Sequence, residues 1–307
     1  MRHLTEALTT RRRRRLRATT LPALLLIALL PIVTGAQRGG EPPPPPPPAR
    51  TIAPIDLTGY WVSVVTEDWR YRMLTPPKGD YSSVPLNAAA RRMADAWDPA
   101  KDETSGDACK SYGVGNIMRV PGRVHITWQD DDTLKVETDA GTQTRLLHFG
   151  DAAQAAVGDA GWQGYSVARW ELAGPQRRGG AAGPRANAPG AVLPGPDNAP
   201  GQRQTGPEAA DGRSRGRGTP TPRGGSLKVV TTHMKAGYLR KNGVPYSESA
   251  VVTEYLDRHT EPNGDQWFTV TTIVDDPKYL AEPFITSSHF KKEANNEKWR
   301  PSPCTAS

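Results

Sequence analysis

The chain has 307 residues, 39 Lys and Arg against 32 Asp and Glu, a formal net charge of +7, and two cysteines. The basic surplus is unevenly placed: residues 1–36 hold 7 of the basic residues against one acid, and residues 173–225 hold 8 arginines against 3 acids. With those stretches and 37–54 set aside, 22 basic face 27 acidic residues. The folded body is therefore acidic, and a nucleic-acid-binding face is excluded.

At the N-terminus, the arginines at 11–15 and Arg17 form a basic start, residues 21–33 an apolar stretch, and Thr34-Gly35-Ala36 a small-residue exit before Gln37. This pattern predicts a secretory signal peptide over 1–36 and a periplasmic or extracellular destination. The apolar stretch, broken by Pro22 and Pro31, is too short for a membrane span, which needs about 20 residues. An unbroken proline run at 42–48 follows, so 37–54 reads as a stiff polyproline tether. A single folded domain is expected from Ile55 to the end of the chain.

Within that domain, period-2 patterns rich in β-branched and aromatic residues predict eight strands, over 59–67, 123–129, 133–138, 143–149, 164–171, 226–234, 250–258 and 267–274. Asp130-Asp131-Asp132, Ala140-Gly141 and Glu261-Pro262-Asn263-Gly264-Asp265 supply tight turns between neighbours. One short helix is predicted over 87–97, capped by Asn87 and stopped before Asp98-Pro99. The expected fold is mainly β, an antiparallel eight-stranded barrel with one short helix.

Residues 173–225 carry almost no large apolar side chains and abundant Gly, Pro, Ala and Arg. Such a stretch buries too little to offset its ordering entropy and is expected to be disordered. The strands on either side read as antiparallel neighbours, so the insertion replaces a hairpin turn and does not form a second domain.

Cys109 and Cys304 suit an oxidising compartment and are expected to pair; neither has C-x-x-C spacing or a neighbouring His, so neither reads as a metal ligand. Asp275-Asp276-Pro277 reads as turn chemistry. The chain has no G-x-S-x-G, H-E-x-x-H, phosphate-cradling glycine loop or haem motif, and no cofactor is expected. Strand parity places His125 and Glu137 on one polar face, either a His–carboxylate pair inside a cavity or a solvated outer wall. Glu254 and Arg258 form a second candidate pair, inside a cavity or on the surface.

The run Asp56-Leu57-Thr58-Gly59-Tyr60-Trp61 contains G-x-W at the opening of the first strand and resembles the lipocalin signature. That resemblance implies a tryptophan plugging the closed end of an eight-stranded barrel beneath an arginine from near the last strand, the part open to Arg258. A broader resemblance covers Pro85-Leu86-Asn87, Trp97-Asp98-Pro99, Cys109, Met118-Arg119-Val120-Pro121, the strands at 166–171 and 226–232, Glu254-Tyr255 and the run 272–277. These are similar to a widespread group of exported bacterial proteins of undetermined function. The resemblance implies fold and compartment and carries no catalytic assignment; the long insertion departs from the group, whose members turn there through a short loop.

Three readings remain open on the sequence. The first is a barrel binding a small apolar molecule, with Trp61, Trp170 and Tyr255 giving contact area and Arg119, His125, Glu137 and Glu254 giving polar contacts. The second is a cavity hydrolase or isomerase with His125 as base. The third is a structural or interaction protein of the cell envelope.

Overall fold

Alternation decides which wall of each strand is buried. In β2 (Arg123–Trp128) Val124 and Ile126 are buried while His125 on the opposite wall is only half-buried, because successive side chains point to opposite faces of a strand. The computed structural model describes residues 45–150, 158–172 and 224–306, and from Pro46 onward they form one unit. The expected signal peptide, the first three prolines of the run at 42–48 and nearly all of the long insertion lie outside the described residues.

All eight expected strands are present: β1 (Gly59–Val64), β2, β3 (Thr133–Thr138), β4 (Thr144–His148), β5 (Tyr165–Leu172), β6 (Gly225–Thr232), β9 (Val251–Thr260) and β10 (Gln266–Asp275). Between β6 and β9 lie β7 (Gly237–Arg240) and β8 (Val244–Tyr246), which pair as a separate two-stranded sheet, and β11 (Phe284–Glu293) follows β10. The barrel closes in the order β1-β11-β10-β9-β6-β5-β4-β3-β2.

Three features correct the expectation. The barrel has nine strands, not eight, because β11 joins β10 to β1. It is not wholly antiparallel, since β4 and β5 run parallel through Leu147 opposite Ser166. Among the described residues there are three short α-helices instead of one: α1 (Trp69–Met73), α2 (Ala88–Asp95) and α3 (Pro99–Thr104). Asn87 does cap α2, accepting from the Ala90 amide at 3.0 Å. Asp98-Pro99 ends α2 as expected and also starts α3: Asp98 accepts from the Ala100 amide and Pro99 occupies the first turn, where a missing N–H costs nothing.

The long insertion is spanned by a regular hairpin. Leu172 pairs with Gly225 and the register continues to Tyr165 opposite Thr232. Asp276, in the Asp-Asp-Pro turn, is buried with its oxygens taken by the Ser247 amide and hydroxyl, at 2.7 and 2.8 Å, and by the Lys278 amide. The Cys109–Cys304 disulfide is formed and holds the C-terminal tail against the segment after α3. By closing a loop of 195 residues it contributes up to about 5 kcal/mol in the chain-entropy account.

Inside the barrel Trp61, Ile126, Leu134, Leu147, Leu227, Phe268 and Phe290 are no more than 2 % exposed. The Trp61 ring meets Phe268 edge-on at 4.8 Å, and Phe268 stacks on Phe290 at 4.7 Å. Each such side chain contributes roughly 1.5–3 kcal/mol by leaving water. The end below Trp61 is sealed by the chain before β1. Folded contacts begin at Ala49, ahead of Ile55: its amide donates to Asp132 at 2.7 Å, and its carbonyl accepts from the Trp170 indole at 2.9 Å. The acidic turn between β2 and β3 thus anchors the end of the tether as well as reversing the chain.

The opposite end is covered by residues 66–121 and the β7–β8 hairpin. A second apolar cluster forms there, including Val84, Leu86, Ala90, Leu239, Val244, Tyr246 and Phe284. Gly243 has φ 79°, and a Cβ there would lie 2.2 Å from the Trp97 ring, so only glycine lets the hairpin tip pack against the end of α2.

Candidate functional site

The seven residues predicted from sequence do not converge. Trp61 and Trp170 sit at the sealed end, where each indole N–H is used internally: Trp61 donates to the Leu57 carbonyl at 2.8 Å and Trp170 to Ala49. His125 and Glu137 face each other across β2 and β3, with Nδ1 3.2 Å from Oε2, but on the outer wall. There His125 stacks on Tyr60 at 4.0 Å with Trp299 edge-on, and Lys135 shares Glu137 at 3.1 Å. Tyr255 also lies on the outer wall, under the Lys228 ammonium at 5.1 Å.

Glu254 does point inward, but its partner is Arg145 of β4 and not Arg258. The two side chains are almost fully buried, and both guanidinium terminal nitrogens meet the carboxylate, at 3.2 and 2.5 Å. Thr231 accepts a further bond from Arg145 and is itself paired with Ser166. Arg258 instead donates to Gln266 at 2.8 Å and lines an open cleft at the sealed end with Asp56 and Trp128.

Arg119 is the one predicted residue that belongs to an unusual group. It is 3 % exposed and lies in the 3-10 turn Ile117–Arg119 before β2, with its guanidinium 5.6 Å from the Phe284 ring. Two further buried arginines accompany it. Arg72 of α1 donates to the Arg119 carbonyl at 2.9 Å, to Ser63 of β1 at 3.1 Å and to Glu67 at 2.6 Å. Arg240, at the end of β7, is 1 % exposed with its guanidinium carbon 4.0 Å from the centre of the Tyr71 ring.

Charge is not balanced in this group. Glu67 answers Arg72, and Asp68 answers Arg119 at 3.1 Å, but no carboxylate of the described residues pairs with Arg240. Asp80, whose charge also bears on Arg240, is held by exposed Arg70 at 2.7 Å. Burial pushes the Arg240 guanidinium below its ordinary value, and the charge of Arg119 pushes it the same way. Arg72 is lowered chiefly by burial, with Glu67 opposing. Guanidinium groups nevertheless stay charged in proteins.

Hydrogen bonding is equally incomplete. Among the described residues, Nε, Nη1 and Nη2 of Arg240 and Nε and Nη1 of Arg119 are buried without an acceptor. A buried charge left unpaired costs several kcal/mol, and satisfied partners are the rule for buried polar atoms. The covering turn is itself unusual: Asp68, which holds Arg119, has φ 51°, a left-handed conformation that few residues other than Gly, Asn and Asp adopt readily.

Arg72, Arg240 and Tyr71 escaped the sequence reading. Arg240 carries the only local hint, a charge following Leu239 in an otherwise apolar strand. A separate open cleft of about 550 Å³ is lined by His259, Trp267 and His289 among others. His289 lies 3.4 Å from Glu67 there, so one carboxylate serves both the cleft and Arg72. Among the described residues no cluster of three or more His, Cys, Asp or Glu could hold a metal ion, and no helix is long and apolar enough to cross a membrane. Comparison with protein-family models, with curated proteins and with solved structures finds no match.

Proposed function

We propose that this chain is an exported binding barrel that holds a small molecule beneath the cap over its open end. The observation that carries this reading is the set of five guanidinium nitrogens of Arg119 and Arg240, buried and without acceptors among the described residues. A barrel built only for stability gains nothing from unpaired charge in that position. The ligand is polar in this reading, since apolar side chains already occupy the space around Trp61, Phe268 and Phe290. The leader at 1–36 and the disulfide support export. The G-x-W opening of β1 and the buried Trp61 at the sealed end support a lipocalin-like barrel, here with nine strands.

Native mass spectrometry of protein taken from the exported fraction of its host tests this reading. The expected result is a constant small mass above that of the bare chain, lost on denaturation; bare chain in every charge state contradicts it. A second reading, an interaction protein of the envelope, is favoured by Trp69, Met73 and Leu74, which are 63, 56 and 66 % exposed on and beside α1. Cross-linking through a photoreactive group at Trp69 in intact cells would capture a protein partner in that case.

A further inference from the structure

Resting on the binding reading above, we propose that the ligand carries an oxyanion, a carboxylate or a phosphate, that is gripped by the free edges of Arg240 and Arg119 under α1. Three features of the geometry lead to this chemistry.

The first is how Arg240 is used. Its guanidinium carbon lies over the Tyr71 ring, 4.0 Å from the ring centre, a cation–π contact that consumes no N–H donor in a conventional hydrogen bond. The in-plane edges carry the N–H donors, and none of the three nitrogens has an acceptor among the described residues. An in-plane edge with parallel donors is the shape that takes two oxygens of one carboxylate or phosphate. Arg119 contributes in the same sense: Nη2 is spent on Asp68, while Nε and Nη1 are free.

The second is charge. Three guanidinium groups meet two carboxylates, Glu67 and Asp68, and one anionic group restores balance. An apolar or cationic ligand would leave Arg240 without a paired carboxylate and its donors unbonded, which is the costly outcome.

The third is enclosure. Arg240 and Arg119 are 1 % and 3 % exposed, so in this low-dielectric setting an ion pair is stronger than at the surface. The cover is the stretch from Glu67 through α1. It is held by the Arg72 bonds to Ser63 and the Arg119 carbonyl and by Arg119–Asp68, and its outer side presents Trp69, Met73 and Leu74 to solvent. The ligand reaches the arginines when this stretch lifts, and its oxyanion then competes with Asp68 for Arg119.

The test uses the full exported chain, with inorganic phosphate and succinate as probes and chloride at matched ionic strength as control. Thermal unfolding and isothermal titration should show saturable stabilisation by phosphate or by succinate beyond chloride; whichever acts identifies a phosphoryl or a carboxylate ligand. Arg240→Lys keeps the charge but loses the fork and should weaken that response about tenfold. Arg240→Met should abolish the response and, without anion, melt at or above the parent, because an unpaired buried charge has been removed. A purely structural arginine predicts the reverse, a lower midpoint in Arg240→Met and an unchanged anion response in Arg240→Lys. Phosphate and succinate acting no more strongly than chloride would also overturn the proposal. If the molecule retained in native mass spectra is neutral or cationic, the binding reading stands and the oxyanion assignment falls.

Discussion

The guanidinium of Arg240 lies 4.0 Å from the centre of the Tyr71 ring, and this contact joins β7 to α1 across the open end of the barrel. Cover and hairpin are thereby coupled, although 169 positions separate the two residues in sequence. Other polar contacts also hold the cover down: Asp68 to Arg119, Glu67 to His289, Arg70 to Asp80, and the Arg72 bonds to Ser63 and the Arg119 carbonyl.

Removing the ring should therefore loosen the cover and leave the barrel intact. Tyr71→Ala is expected to lower the free energy of local opening by about 1–2 kcal/mol, the scale of a desolvated cation–π contact. Hydrogen exchange followed by mass spectrometry should show faster exchange confined to residues 66–74. Equal acceleration in β9 and β10 would mean that α1 is integral to the barrel and not a cover on it.

The Arg145–Glu254 pair gives a different expectation, because both partners are present and two nitrogens of Arg145 meet the carboxylate, its Nε alone lacking an acceptor among the described residues. Glu254→Leu strands a buried guanidinium and should cost about 3–5 kcal/mol in urea unfolding, whereas Arg145→Met combined with Glu254→Leu should recover most of that loss. A double variant as unstable as the single one would show that the pair does more than cancel its own burial.

These two arginine environments mark where sequence reasoning stops. The eight expected strands were legible because each carries β-branched or aromatic residues in a period of two, with apolar inward pairs such as Leu227 and Val229 of β6 or Phe268 and Val270 of β10. β11 was not, because Thr286 and Ser288 interrupt the apolar parity between Phe284 and Phe290. β7 and β8 are too short, and too rich in Gly and Pro, to show a period. Parity did place His125 opposite Glu137, but it cannot say which wall faces in. Sequence nearness suggested Arg258 for Glu254, whereas the barrel brings Arg145 across its interior. The grouping of Arg72, Arg119 and Arg240 is a product of tertiary structure alone, and no spacing announces it.

One contribution to pH dependence can be assigned. Burial holds His148, stacked on Tyr165 at 4.9 Å, below its ordinary value of 6.5, with Asp130 opposing. The folded protein then binds fewer protons than the unfolded chain, so stability is intact above pH 6.5 and falls as the pH drops from there toward the lowered value. His148→Gln should flatten the stability profile just below pH 6.5 relative to the parent, measured by chemical unfolding at stepped pH. An unchanged slope would show that His148 protonates as readily folded as unfolded.

The hairpin across the long insertion makes a prediction about length. Because Leu172 pairs with Gly225, replacing the intervening residues with a short Asn-Gly turn should preserve the fold. It should add about 2 kcal/mol, since closure entropy varies with the logarithm of loop length. Thermal melts of the shortened and parent proteins decide it: a cooperative melt at a higher midpoint is expected, and loss of folding would mean that the inserted residues pack against the barrel.

The most direct test of the binding reading is a crystal structure of protein isolated from its own host, at a resolution that shows ordered solvent. The account predicts a bound group within hydrogen-bond distance of the Arg240 edge and of Arg119 Nε or Nη1, beneath Tyr71 and α1. Ordered waters or backbone carbonyls filling every one of those donor positions would contradict it.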